Sequence, residues 1–232
     1  MKKLRSLLIT CEHGGNRIPE MYRSKFAGNR KILNSHRGYD IGALDAARHL
    51  AHETGGTFLH YDNTRLLIDM NRSEWSRGLF SPEEFSLTEH DRERVLAELY
   101  RPYRKKVAQT VAGILRKSGR AVHFAVHSFT PVLHGMERNA DIGFLYDPAR
   151  RDEKEFCRAL RNNIAAAHRT YRVRMNYPYR GTADGLTTSL RTLFPDDNYM
   201  GIECELNQRI AGNSMLRIEA TDLIARGLQR LF

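Results

Sequence analysis

Leu4-Arg5-Ser6-Leu7-Leu8-Ile9-Thr10-Cys11-Glu12-His13-Gly14-Gly15 is the stretch on which the reading of this chain turns. Its run from Leu4 to Cys11 is rich in β-forming residues, the composition of a strand. Glu12 and His13 end it abruptly, and two glycines follow. A histidine in that place sits just past the carboxyl end of a strand, the edge of an α/β sheet where ligand sites gather. The glycines let the backbone approach a ligand closely.

Downstream the pattern alternates. Asp40 precedes Ile41, Leu44, Ala47, Leu50 and Ala51, an apolar stripe at helical spacing that Gly55-Gly56 ends, with Asp40 as the candidate N-cap. Thr57 to Tyr61 reads as a second strand and Arg65 to Asn71 as an extended segment. Thr88-x-x-Asp91 opens a helical pattern that runs to about Lys117, with a kink expected at Pro102 and a stop at Gly119. Ala121 to Val126 is a strand that delivers His127 at its end, and Asp141 to Tyr146 is another. A helix over Asp152 to His168 leads to a short strand near Tyr171 to Met175 and then a long polar loop. Tyr199 to Leu206 is the last sheet strand, and Asn213 caps a terminal helix. Strands alternating with helices predict one α/β domain over 1–232, three-layered, its mixed and mostly parallel sheet covered by helices on both faces.

Composition narrows the class. Apolar residues make up 41% and charged residues 28% of the 232, a globular profile, and no apolar run is long enough to span a bilayer. The charged start Met1-Lys2-Lys3 resembles a signal peptide only until Glu12 and His13 interrupt the apolar run, so it reads as strand. Three cysteines without a C-x-x-C pair suit reduced thiols and a cytoplasmic protein. The net charge of +10 fits nucleic acid, a small anionic substrate or simply a solvated basic surface. Its basic residues are spread along the chain, with a modest cluster at Arg101, Arg104, Lys105 and Lys106 and no basic arm, which favours the substrate.

Several residues carry chemistry. His13 and His127 both emerge at strand ends on one sheet edge, as two imidazole ligands of one metal ion must. Asn16 stands three residues after His13, where H-x-x-E sites carry a carboxylate; a neutral amide is a poor ligand there and otherwise forms a turn. His123, four residues deeper on the strand, reads as a hydrogen-bonded core histidine, and His134 is a loop histidine open to a place in the cleft wall or to none. Arg65, Asp69 and Asn71 share one face of an extended segment, suiting recognition of a carboxylate or oxyanion, or else an edge-strand ion-pair network. Glu203 and Glu205 share a face of an interior strand. Burying both without a partner is costly, so at least one faces a cation or a substrate, unless both pair with arginines.

The phrase Cys11-Glu12-His13-Gly14-Gly15-Asn16-Arg17-Ile18-Pro19 resembles the opening motif of the N-formylglutamate amidohydrolase family. Asp40-Ile41-Gly42-Ala43, Asp69-Met70-Asn71-Arg72 and His127-Ser128-Phe129-Thr130-Pro131 follow in the family's order, from about Leu7 to Asn207. More distantly the pattern is similar to zinc carboxypeptidases and aspartoacylase. The resemblance implies a zinc-peptidase-like (phosphorylase/hydrolase-like) fold with an eight-stranded mixed sheet, and one divalent ion, zinc, on His13 and His127. It implies an arginine at the Arg65 position that polarises the carbonyl, and substrate-carboxylate recognition around Asn71 and Arg72. A late-strand glutamate serves as base, and the Gly-Ile-Glu phrase makes Glu203 the expected one, with Glu205 of equal parity as the alternative. Asn16 departs from the glutamate ligand of the distant relatives, which makes Asp40 the candidate third ligand. Arg180, in Tyr179-Arg180-Gly181-Thr182, is either a substrate-carboxylate contact or a surface arginine. The expected activity is hydrolysis of an N-acyl amino acid, N-formyl-L-glutamate to formate and L-glutamate. The alternatives are an amidase or peptidase acting on another small N-acylated acid, and a basic anion- or RNA-binding module with structural histidines.

Overall fold

The computed structural model describes residues 4, 6–81, 85, 87–167, 170–195 and 198–232. The early elements are β1 (Leu7–Cys11), a 3-10 turn (Glu20–Phe26), α1 (Arg30–Leu33), α2 (Ala43–Thr54), β2 (Thr57–His60), α3 (Glu89–Val95) and α4 (Arg101–Ser118). There follow β3 (Ala121–Phe129), β4 (Val132–Leu133), β5 (Met136–Glu137), β6 (Ile142–Leu145), α5 (Arg151–Ala167) and β7 (Val173–Met175). The chain closes with α6 (Leu186–Leu193), β8 (Tyr199–Asn207), α7 (Gln208–Ala211) and α8 (Ser214–Gln229). The charges at Lys2, Lys3 and Arg5 and the expected helix end at His168 lie outside the described residues.

Six strands form one sheet in the order β2-β1-β3-β8-β6-β7, and β4 and β5 make a separate two-stranded ribbon. The sheet of the described residues is therefore smaller than the eight strands implied by resemblance. β2, β1, β3 and β8 are parallel, and β6 enters antiparallel to β8 and parallel to β7, so the sheet is mixed and mostly parallel as expected.

Helices cover both faces, and the period of two sorts the strand residues between them. Leu7, Ile9 and Cys11 of β1, Val122, Phe124 and Val126 of β3 and Ile202, Cys204 and Leu206 of β8 pack on α2, α5 and α8. The other face holds Leu8, Ala121 and Tyr199 against α4 and α6. That second face is only partly apolar. Thr10 of β1 and Glu12 just past its end, His123 and His127 of β3, and Glu203 and Glu205 of β8 share its parity, and all but Glu203 are fully or nearly fully buried. The sheet thus has one apolar face and one carrying a ladder of polar side chains toward its carboxyl edge.

His123 anchors the inner end of that ladder as the core histidine expected, its Nε2 2.8 Å from Thr10 Oγ1 and its Nδ1 2.9 Å from the Tyr199 hydroxyl. Burial lowers its pKa to about 4, Arg191 helping and Glu12 opposing. A histidine depressed in the fold but free to protonate near 6.5 when unfolded contributes stability above that pH. The contribution is lost as pH falls through 6.5 toward 4, by about 3 kcal/mol in all. The melting temperature is therefore expected to fall over this window, and more steeply in the wild type than in His123→Leu. Parallel profiles for the two proteins would show that His123 does not carry the effect.

The helix punctuation is largely as read. Thr88 and Asp91 form a reciprocal capping box, Gly55 and Gly119 end α2 and α4 at φ 62° and 69°, and Asn213 Oδ1 accepts from the Met215 and Leu216 amides. Around Pro102 the helical pattern divides into α3 and α4, with the proline in the first turn of α4. A π-helical segment, Leu96–Tyr100, widens the backbone ladder just before it, in place of the amide that proline lacks. Three further corrections bear on the site. Asp40 is not the N-cap of α2, which begins after Gly42 at φ 77°. Arg65 to Asn71 is a succession of turns, not an extended strand. The strand of His127 runs two residues past it to Phe129, and the polar loop before β8 holds a helix, α6. His134 takes no place in the cleft wall: at φ 49°, followed by Gly135 at φ 77°, it makes the tight turn between β4 and β5.

Candidate metal centre and cleft

His13, Asp40, Arg65, Asn71, Arg72, His127, Arg180, Glu203 and Glu205 line a single cleft at the carboxyl edge of β1, β3 and β8, and Asp69 stands behind it against His13. Asn16 points its amide nitrogen at the Leu33 carbonyl (3.2 Å) and Asn34 Oδ1 (2.8 Å), the turn role that a neutral amide suits, and does not join the ligand set.

The two imidazoles are arranged alike. His13 Nδ1 and His127 Nδ1 both face Asp40 Oδ2, at 3.4 and 2.9 Å, and donor atoms of the three residues lie within 4.8 Å of one another. Each Nε2 is backed by a carboxylate. His13 Nε2 donates to Asp69 Oδ1 at 2.7 Å, and His127 Nε2 lies 3.3 Å from Glu12 Oε2. Each ring therefore has a carboxylate at both nitrogens; a cation taken up at Nδ1 beside Asp40 would leave the ring proton on Nε2, facing Asp69 or Glu12. A carboxylate behind each ligand histidine fixes the tautomer and the ring orientation.

The turns of 65–71 make this possible. Arg65 spans the two aspartates, Nη1 3.3 Å from Asp40 Oδ1 and Nη2 2.8 Å from Asp69 Oδ2. The Asn71 amide in turn donates to Asp69 Oδ1 at 2.9 Å. Asp40 also accepts from the Ser128 amide at 3.3 Å. Burial pushes both aspartates up in pKa. His13 and His127 with Arg65 for Asp40, and Arg65 with His13 for Asp69, more than reverse it, and both stay ionised.

Sequence reading missed Glu12 and Tyr103. Glu12 is 1% exposed and no arginine or lysine pairs with it among the described residues, a placement that costs several kcal/mol without compensation. Tyr103 of α4 donates to its Oε1 at 3.1 Å, and although burial raises its pKa, His127 brings it down to about 2. The available signal was strand parity: Glu12 falls on the same face as Thr10. The sequence also gave no sign that Asp184 would hold the Ser73 hydroxyl (2.6 Å) while its carbonyl takes Arg72 Nη1 (2.6 Å), which pins the 176–185 loop over the cleft.

These residues fit a divalent cation on two grounds. Glu12, Asp40, Asp69 and Glu205 place four carboxyl groups around two imidazoles, with Arg65 as the guanidinium among them. Furthermore Glu12 Oε2, His127 Nε2 and Glu205 Oε2 are buried without a well-aligned hydrogen bond, and a positive centre on the Nδ1 side would polarise the His127 ring toward Glu12. Loss of a backing carboxylate should weaken the ion without removing a ligand. Asp69→Asn and Glu12→Gln are each expected to lower zinc affinity about 10- to 100-fold in chelator competition; unchanged affinity in both would mean that the imidazoles need no such support.

A three-layer α/β architecture with two imidazoles and a carboxylate gathered at the carboxyl edge of its central strands is what fold and site define. Against known proteins, residues 5–211 match the N-formylglutamate amidohydrolase family model. The chain belongs to that family of amide hydrolases. Among solved structures it is similar to a gene product of Agrobacterium tumefaciens, at 27% identity and TM-score 0.80 over 97% of this chain and 91% of that one. It is also similar to N-formylglutamate amidohydrolase from Ralstonia eutropha JMP134, at 17% identity and TM-score 0.74 over 100% and 96%, which bears on the fold. No curated protein matches the sequence. Among the described residues no helix is long and apolar enough to cross a membrane.

Proposed function

We propose that the chain is a zinc-dependent cytoplasmic amidohydrolase that cleaves small N-acyl amino acids, N-formyl-L-glutamate foremost. The observation that carries this reading is the convergence of His13 Nδ1, His127 Nδ1 and Asp40 beside Glu205 in a cleft edged by arginines.

His13, His127 and Asp40 would hold the ion, which when bound supplies Lewis-acid polarisation of a carbonyl and brings water's pKa toward neutrality. Glu205 is the base in this reading. β3 and β8 pair so that Glu205 lies directly beside His127, while Glu203 lies beside Ala125, one step further from the ligands. Glu205 is buried and its charge senses His127, Asp40 and His13. It takes a proton from water as the oxygen adds to the carbonyl carbon, and passes it to nitrogen as the C–N bond breaks. The acid so formed loses its remaining proton, leaving a carboxylate and an ammonium. Arg65, held by Asp40 and Asp69, keeps further N–H donors for the oxyanion. Asn71 and Arg72 receive the substrate's α-carboxylate, and exposed Arg180 at the rim a side-chain carboxylate. So many buried carboxylates oppose a nucleic acid in this cleft, and a small anion between the arginines is the partner that suits it.

The test is amine release from N-formyl, N-acetyl and N-succinyl amino acids by untagged protein carrying one equivalent of zinc. Release fastest from N-formyl-L-glutamate, abolished by chelator and restored by zinc, is expected. Zinc-loaded protein inert toward all of them would overturn the reading.

A further inference from the structure

Glu203 has no part in the chemistry above, yet it lines the same cleft, half-buried, with one oxygen held. Its Oε1 accepts from Thr187 Oγ1 of α6 at 3.0 Å, and among the described residues no lysine, arginine or histidine pairs with it. A cleft otherwise furnished with Arg65, Arg72 and Arg180 therefore contains a carboxylate without a cation of its own. Such a group repels a second anion and favours a donor.

Its neighbour says which donor. A carbon placed on Gly185 would stand 3.1 Å from both Glu203 Oε1 and Asn71 Oδ1, so the two side chains flank one small space at the start of α6. Asn71 Oδ1 is taken by the Leu186 amide at 2.7 Å, which leaves its NH2 group as donor to a carboxylate. In an amino acid the α-carboxylate and the α-nitrogen share one carbon. A ligand that gives its carboxylate to Asn71 and Arg72 thus brings its nitrogen next to Glu203. Glu205, two residues on along the same face, lies about 6.6 Å further toward the ligand histidines at a rise of ~3.3 Å per residue. The two carboxylates thus stand on the nitrogen side and the acyl side of the scissile bond.

We infer that Glu203 is the nitrogen subsite: it accepts from the amide N–H of the bound substrate and pairs with the ammonium of the product. The inference rests on the amino-acid reading of the cleft and adds to it a preference for substrates whose nitrogen carries a hydrogen. A charge-assisted bond of this kind is worth about a tenfold in affinity. Calorimetric titration of the zinc-loaded protein with L-glutamate and with glutarate, which has both carboxylates and no nitrogen, reads it directly. The wild type is expected to prefer L-glutamate. Glu203→Gln should weaken L-glutamate by about tenfold and glutarate by less than about twofold with zinc content unchanged, and Thr187→Val, which removes only the hydroxyl that orients Glu203, should give a smaller selective loss. Equal weakening of both ligands, or of neither, overturns the assignment of Glu203 while the hydrolase reading stands. A wild type that cleaves no N-acyl amino acid and binds neither ligand overturns both.

Discussion

Glu205→Gln is expected to lower kcat by about two to four orders of magnitude, the range over which a positioned general base contributes, with zinc content unchanged. The amide keeps the shape of the side chain and removes the proton acceptor, so an effect confined to the transition state should appear in kcat and kcat/KM together. Glu203→Gln should instead act mainly on KM and product affinity. The two glutamates cannot be told apart by strand parity, since both face α4 and α6; what separates them is register, which sets Glu205 beside His127 and Glu203 beside Ala125. Burial pushes Glu205 up to about 8, Asp40 and Glu203 adding to it and His127 opposing it, so its work as a base near neutral pH depends on a cation beside it to favour the ionised form. If the inactive, zinc-replete variant is Glu203→Gln, the roles exchange and the nitrogen subsite falls; if neither variant loses kcat, a carboxylate base is not part of this mechanism.

His127→Ala and His13→Ala should each reduce zinc affinity by more than about a hundredfold, beyond the range seen when only a backing carboxylate is removed. Each removes one of the three proposed protein donors and also strands a buried carboxylate, Glu12 behind His127 and Asp69 behind His13. Asp69 retains Arg65 at 2.8 Å, whereas Glu12 keeps only the neutral hydroxyls of Tyr103 and Thr10 among the described residues. The His127 variant should accordingly lose more fold stability than the His13 variant, by roughly 1–3 kcal/mol, the cost of leaving a buried polar group unsatisfied. Thermal denaturation of the two zinc-free variants measures the difference. Full zinc occupancy in either one would remove that histidine from the ligand set.

The sequence determined the alternation of strands and helices, the strand end before His13, the strand that carries His127, the capping box at Thr88, and the shared face of Glu203 and Glu205. These are local properties: the periods of 2 and 3.6 and the chemistry of caps and glycines act within a few residues of chain. The family-ordered motifs also named Asp40 in place of Asn16. Tertiary structure alone decided how distant segments meet. Asp40 lies at the start of α2 in sequence, but its carboxylate is claimed by His13, His127 and Arg65, partners 27, 87 and 25 residues away. Arg65, Asp69 and Asn71 converge through turns that no extended strand would have provided. Glu12 is indistinguishable in sequence from a surface glutamate at a strand end; only the parallel pairing of β1 with β3, and α4 packed above them, puts His127 and Tyr103 against it. Which of Glu203 and Glu205 stands beside His127 is of the same kind, because parity is written along one strand while register exists only between two.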